Sequence, residues 1–157
     1  MGGIVASTVT LAMGIPGQLV GGGLTDRVGA LRFLMTAFGL LALALVLMAL
    51  LPVLMAVMLT FAAGFLIFCT QPTTGTLLAE ESGQQVRGFA YGLAFMANFG
   101  VGAFGTSLGG YVADATGSLV FIFPVMACFM VLGVVIASLL GRERRARGPI
   151  TSRTLPP

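Results

Sequence analysis

Few residues in this chain can do chemistry, and their spacing suits hydrogen bonding and ion pairing rather than bond making. Of 157 residues, 57% are hydrophobic and 8% charged, and there is no histidine or tryptophan. The five carboxylates are Asp26, Glu80, Glu81, Asp114 and Glu143, and none lies within an apolar run. No segment brings acid, base and nucleophile together as an active site requires. Cys69 and Cys128 sit deep in separate apolar runs, where free cysteine behaves as a small hydrophobe. Without histidine or nearby carboxylates they build no metal site. The expectation is therefore no enzyme, no metal and no cofactor. What remains is a set of neutral groups inside the apolar runs: Thr8, Thr10, Phe65, Phe68, Gln71 and Asn98. They are candidates for the path of an apolar or weakly polar small molecule, with Asn98 the best placed. Phe61, Phe65 and Phe68 recur on one helical face, as packing or as a solute wall.

The elements that must position these residues follow from composition. A soluble domain carries about 25% charged residues, so there is too little polar surface here to cover a water-soluble globule. The chain reads as all-α and integral to a lipid bilayer. A spanning helix needs roughly 20 apolar residues. The first such run is 3–23. The next, Phe33 to Thr70, would be about 57 Å long as a helix, too long for one crossing. Leu51-Pro52 divides it into 33–51 and 53–78, since proline ends one helix and can open another. Two further spans are 89–112 and 119–140, and 142–157 forms a basic tail.

Charge gives these spans a direction. The basic residues are Arg27, Arg32, Arg87, Arg142, Arg144, Arg145, Arg147 and Arg153, and alternate crossings put all of them on one side. The positive-inside rule makes that side cytoplasmic. The N-terminus is then outside and the C-terminus inside, in what we expect to be a bacterial inner (plasma) membrane. The basic residues form no stripe on a soluble face, so nucleic acid is not an expected partner.

Spans two and five are almost wholly bulky and apolar, which predicts lipid-facing, peripheral helices. Spans one, three and four carry glycine, hydroxyl and amide residues, which predicts an inner position, because small residues allow close approach and polar groups bond across helices. Gly105 and Gly109, with Gly110 on the adjacent stripe, mark span four for tight packing or for sliding against a neighbour. Pro16, Pro72 and Pro124 fall inside spans and predict bends, Pro72 being the best hinge candidate.

The segment Gly22-Gly23-Leu24-Thr25-Asp26-Arg27-Val28-Gly29 resembles the signature loop of the major facilitator superfamily, G-x-L-a-D-R-x-G followed by basic residues. Gly22, Leu24, Asp26, Arg27 and Gly29 match, and Arg32 sits one place late. Glu80-Glu81 followed by Arg87-Gly88-Phe89-Ala90-Tyr91-Gly92 resembles the family's cytoplasmic loop before its fifth and eleventh helices. Residues 105–114 resemble the glycine-rich segment that comes next. The resemblance implies helices eight to twelve of a twelve-helix transporter, with helices two to six as the alternative. It implies a partial transporter working by alternating access, whose partner is the missing N-terminal half. In the family the loop aspartate sits at a helix N-terminus of the opposite half. The resemblance thus implies that Asp26 latches the halves, with Arg27 or Arg32 pairing with Glu80 or Glu81, and Arg87 nearby. A faint likeness to drug-efflux members leans the reading towards export. The alternatives are a small self-associating membrane protein and an inactive transporter fragment.

Overall fold

The computed structural model describes Thr8, Val9 and residues 11–147. Among them the chain is all helical: α1 Gly14–Val28, α2 Ala30–Leu50, α3 Val53–Glu81, α4 Arg87–Thr116, a 3-10 turn Leu119–Phe121 and α5 Ile122–Arg147. Three helical stretches, Ala30–Leu50, Val53–Glu81 and Leu119–Ala146, are long and apolar enough to cross a membrane.

Local chemistry explains the breaks. Gly29, at φ 90°, separates α1 from α2, in a left-handed region that only glycine adopts cheaply. Pro52 stands just before α3, where its missing N–H costs nothing. α4 ends at Gly117, φ 66°, whose N–H donates to the Ala113 carbonyl, a left-handed helix stop. The Ser118 hydroxyl then accepts from the Val120 N–H at 3.3 Å, opening the turn into α5.

The helices run further than the apolar spans suggest. The segment Leu24 to Val28, expected beyond the first span, is the last part of α1, and the actual break is Gly29 alone. Gly22 and Gly23 have open space around them and ordinary helical backbone. Their glycine content therefore does not end the helix, because packing against α3 and the internal hydrogen bonds of the backbone favour continuing it. Arg32 lies in the first turn of α2, Glu80 and Glu81 in the last turn of α3, and residues 142–147 continue α5. α3 runs unbroken through Pro72. Pro124 falls in the first turn of α5, where proline is tolerated and forces no bend.

The arrangement of the helices reverses part of the expectation. α2 is the central element, packed against α3 on one side and α5 on the other. Its inward residues Ala30, Phe33, Leu34, Ala37, Leu41 and Met48 follow the three-and-four spacing of a helical stripe. One cluster joins Phe33 and Ala37 to Cys69 of α3. A second joins Leu41 and Met48 to Ala63 of α3, with Phe123 and Met130 of α5 alongside. A bulky apolar sequence does not mark a helix as lipid-facing, since lipid tails and leucine side chains are equally apolar neighbours. α4, expected to be an inner helix, is the most open one. Gly109 is its only fully buried described residue. A Cβ there would meet Ile122 at 3.8 Å, while Gly105 and Gly110 face open space. The small-residue stripe of α4 is thus not used for tight packing within the described chain.

The tight contact lies between α1 and α3. Gly17, Gly21 and Thr25, four apart, form a stripe against Phe68, Cys69 and Thr73. A Cβ on Gly17 would fall 2.9 Å from Phe68 Cβ, and one on Gly21 would fall 2.6 Å from Cys69 Cα. Where the stripe ends, Thr25 Oγ1 and Thr73 Oγ1 are 2.5 Å apart, both buried. With one proton each, one hydroxyl donates across to the other, and that other donates one turn back on its own helix, Thr25 to the Gly21 carbonyl at 2.7 Å or Thr73 to the Cys69 carbonyl at 3.2 Å. Replacing Gly21 with Ala should separate α1 from α3 at a cost of about 2 kcal/mol or more, the scale of overpacking a tight interior. Cys69, 1% exposed, should then react with a maleimide in detergent micelles. Gly22→Ala and Gly23→Ala, whose added methyl meets nothing within 4 Å, should leave it protected.

Candidate solute cleft and charged end

α3 and α4 diverge to leave a cleft of about 480 Å³. Gln71, Thr74 and Leu78 line it from α3, Tyr91, Phe95 and Asn98 from α4, and Phe38 of α2 also lines it. No ionisable acid or base other than the Tyr91 phenol is among the lining residues. The threonine hydroxyls are already used. Thr70 Oγ1 donates to the Ile67 carbonyl at 2.7 Å and Thr74 Oγ1 to the Thr70 carbonyl at 2.9 Å. The Gln71 and Asn98 amides make no hydrogen bond among the described residues and are exposed. Each carries donors and an acceptor, so together they can hold a neutral solute by hydrogen bonds between aromatic walls.

The structure brings together two of the residues singled out in the sequence, Gln71 and Asn98, and separates the rest. Phe65 and Phe68 do not line the cleft. Phe68 packs on Gly14 and Gly17, and Phe65 on the cluster of Phe33, Ala37 and Cys69. Glycines on α1 leave room that the Phe68 ring fills, while the Phe65 ring goes to the side of α2. Thr8 is exposed and is not among the lining residues, and Thr10 lies outside the described residues. Sequence reasoning missed Tyr91, Phe95, Thr74 and Gly75. The available signal was periodicity: Gln71, Gly75 and Leu78, and Tyr91, Phe95 and Asn98, each step by four and three along one helical face.

All the described charged groups except Asp114 gather at one end of the bundle, where α1 and α2 meet, α3 meets α4, and α5 finishes. Gly141 of α5 stands beside Leu31 of α2 there. The carboxylates Glu80 and Glu81 do not pair with Arg27 or Arg32. They hold Arg144, whose Nη1 donates to Glu80 Oε2 at 2.9 Å and whose Nε donates to Glu81 Oε1 at 2.5 Å. The physical reason is reach. α5 runs on as helix past the apolar span and carries Arg144 alongside the last turn of α3, whereas Arg27 and Arg32 are exposed on α1 and α2. Arg87 Nη2 donates to the Ala79 carbonyl at 3.1 Å, capping a carbonyl at the negative end of α3. Its Nε is buried without a partner. Asp26 is exposed in the last turn of α1, with no hydrogen bond or ion pair among the described residues.

Arg144→Gln should lower stability by about 1 kcal/mol or less, the scale of half-exposed ion pairs. The difference should shrink in high salt. Arg27→Gln and Arg32→Gln should leave the melting temperature in detergent unchanged, the reverse of what pairing to Glu80 or Glu81 would give.

A family model described as Major Facilitator Superfamily matches residues 1–156. No curated protein and no solved structure matches the chain. Its function is accordingly transmembrane transport of the type that family carries out. By the match and by its long apolar helices, the chain is an integral membrane protein that belongs to the major facilitator superfamily.

Proposed function

We propose that the chain forms one side of the solute path of an alternating-access transporter, and that the solute is an uncharged, apolar or weakly polar small molecule moved outwards. The observation that carries this reading is the cleft between α3 and α4, where the amides of Gln71 and Asn98 stand unpaired among Phe38, Tyr91 and Phe95. An unpaired amide facing hydrocarbon would cost about 1–3 kcal/mol or more, so these groups suit a wetted path. With no carboxylate or basic side chain lining the cleft, a charged solute would find no counter-charge there.

In this reading the five helices correspond to helices eight to twelve of the family fold and work beside a second set of helices from the N-terminal half. Asp26 supports that arrangement. A carboxylate in the last turn of α1 sits at the negative end of its own helix dipole, a placement unfavourable by about 0.3–1 kcal/mol. Lacking a partner among the described residues, it is free to sit at the positive end of a helix elsewhere and so latch one state of the transport cycle. The charged end faces the cytoplasm of a bacterial inner membrane, by the positive-inside rule.

The test is export from cells carrying the complete transporter, read with a panel of neutral aromatic compounds and their charged analogues. Asn98→Leu and Gln71→Leu should each reduce export of the neutral compounds about five- to thirtyfold, the range for losing one or two solute hydrogen bonds. Asp26→Asn should change the inward/outward balance, read by accessibility to a membrane-impermeant thiol reagent, with protein level unchanged. Full export by the Asn98 and Gln71 variants would refute the assignment of the path, and preferential export of charged analogues would refute the solute class.

A further inference from the structure

Two contacts join the walls of the cleft at its charged end. Among the described residues, the side-chain hydrogen bonds between α3 and α4 are Tyr91 Oη to the Gly75 carbonyl at 2.8 Å and Arg87 Nη2 to the Ala79 carbonyl at 3.1 Å. Their registers match. Arg87 and Tyr91 are four apart on α4, Gly75 and Ala79 four apart on α3, and the helices run in opposite directions. The two contacts are thus successive rungs, one helical turn apart. Beyond Tyr91 the helices part, and the next residues of α4 on that face, Ala94, Phe95 and Asn98, line the opening.

The rungs are not equal. Arg87 leaves its buried Nε without a partner, and an unsatisfied buried donor costs about 1–3 kcal/mol, which offsets much of what its contact with Ala79 contributes. Tyr91 has a single O–H donor, and that donor is used. Its ring lines the cleft while its hydroxyl ties the two walls together. Away from its C-terminal end, where Gly109 meets Ile122, little else holds α4. Gly88, Gly92, Gly100 and Gly102 have no neighbouring atom within reach of an added Cβ.

We propose that Tyr91 is the positioning residue that fixes the width of the cleft at its charged end, through its hydroxyl on the Gly75 carbonyl, and that it thereby sets the size of solute the path admits. The consequence for solute size rests on the cleft being the path. The clasp itself does not.

Leu78, half-buried between the two rungs, lines the cleft. Leu78→Cys in a Cys128→Ser background of the full chain gives one reporting thiol, since Cys69 is buried. Its labelling rates with N-ethylmaleimide and with the bulkier fluorescein maleimide are measured in membranes. Adding Tyr91→Phe keeps the ring and removes only the hydroxyl. It should raise the ratio of bulky to small labelling rates about three- to tenfold, the scale of one lost hydrogen bond. Tyr91→Met, also without a hydroxyl, should do the same, and keeps the test open if one variant folds poorly. An unchanged ratio in either folded variant overturns the proposal, as does an equal rise for both reagents, which would report general loosening. Labelling needs no transport. A widened cleft with export indifferent to Gln71→Leu and Asn98→Leu would sink the path reading and leave the clasp standing.

Discussion

The backbones of α1 and α3 approach so closely at Gly21 and Cys69 that no side chain fits between them, and the rest of the bundle is arranged around that constraint. Gly17 and Gly21 remove the Cβ atoms that would hold the helices apart. Thr25 and Thr73 then meet where one hydroxyl can donate to the other and the second back to its own helix. Close backbone approach in an apolar medium brings dispersion contacts that longer side chains would prevent, the logic of small-residue helix interfaces in membranes. With α3 held on one face by α1, its other faces go to α2 and to the cleft. Cys69 is shared by both arrangements: its backbone touches Gly21, and its side chain joins the Phe33 and Ala37 cluster of α2.

The element types and their number were legible in the sequence because length, hydropathy and the proline at 52 are strong local signals. The turn at Leu51-Pro52 needed no tertiary information. Which helix sits in the middle was not legible. Glycine content pointed to the Gly105, Gly109 and Gly110 stripe of α4, yet the stripe in tight use is Gly17, Gly21 and Thr25. The two patterns look alike, and what separates them is the facing surface. α3 offers Phe68, Cys69 and Thr73 at matching spacing to α1, whereas the face of α4 meets little of the described chain. Pairing is a property of two sequences at once, and one helix read alone does not contain it.

The charged end teaches the same lesson at shorter range. Glu80 and Glu81 were visible as future ion-pair partners, but the resemblance implied Arg27 or Arg32 as their cation. The structure gives them Arg144, because helix continues where a tail was expected and rigid geometry fixes how far the guanidinium reaches. That Gln71 and Asn98 share the cleft was legible for a more robust reason. An amide inside an apolar segment must either bond to a neighbour or face water, and neither is bonded among the described residues. The phenylalanines carried no such constraint, and Phe65 and Phe68 pack away from the cleft.

Two kinds of helix contact therefore coexist in one small bundle, and their difference in strength has a functional meaning. α1, α2, α3 and α5 are joined by continuous apolar surface and, between α1 and α3, by backbone contact that a single added methyl would disrupt. α4 is joined to α3 by a tyrosine hydroxyl and a half-satisfied arginine. A hydrogen bond contributes about 1 kcal/mol net, a scale that thermal motion and solute binding can both overcome. A transporter needs a rigid frame so that a local change is transmitted, and a soft boundary so that the change can begin. Here the unpaired amides of Gln71 and Asn98 lie on the soft boundary, so on the proposed reading a solute that bonds to them would compete with the contacts that hold the walls together.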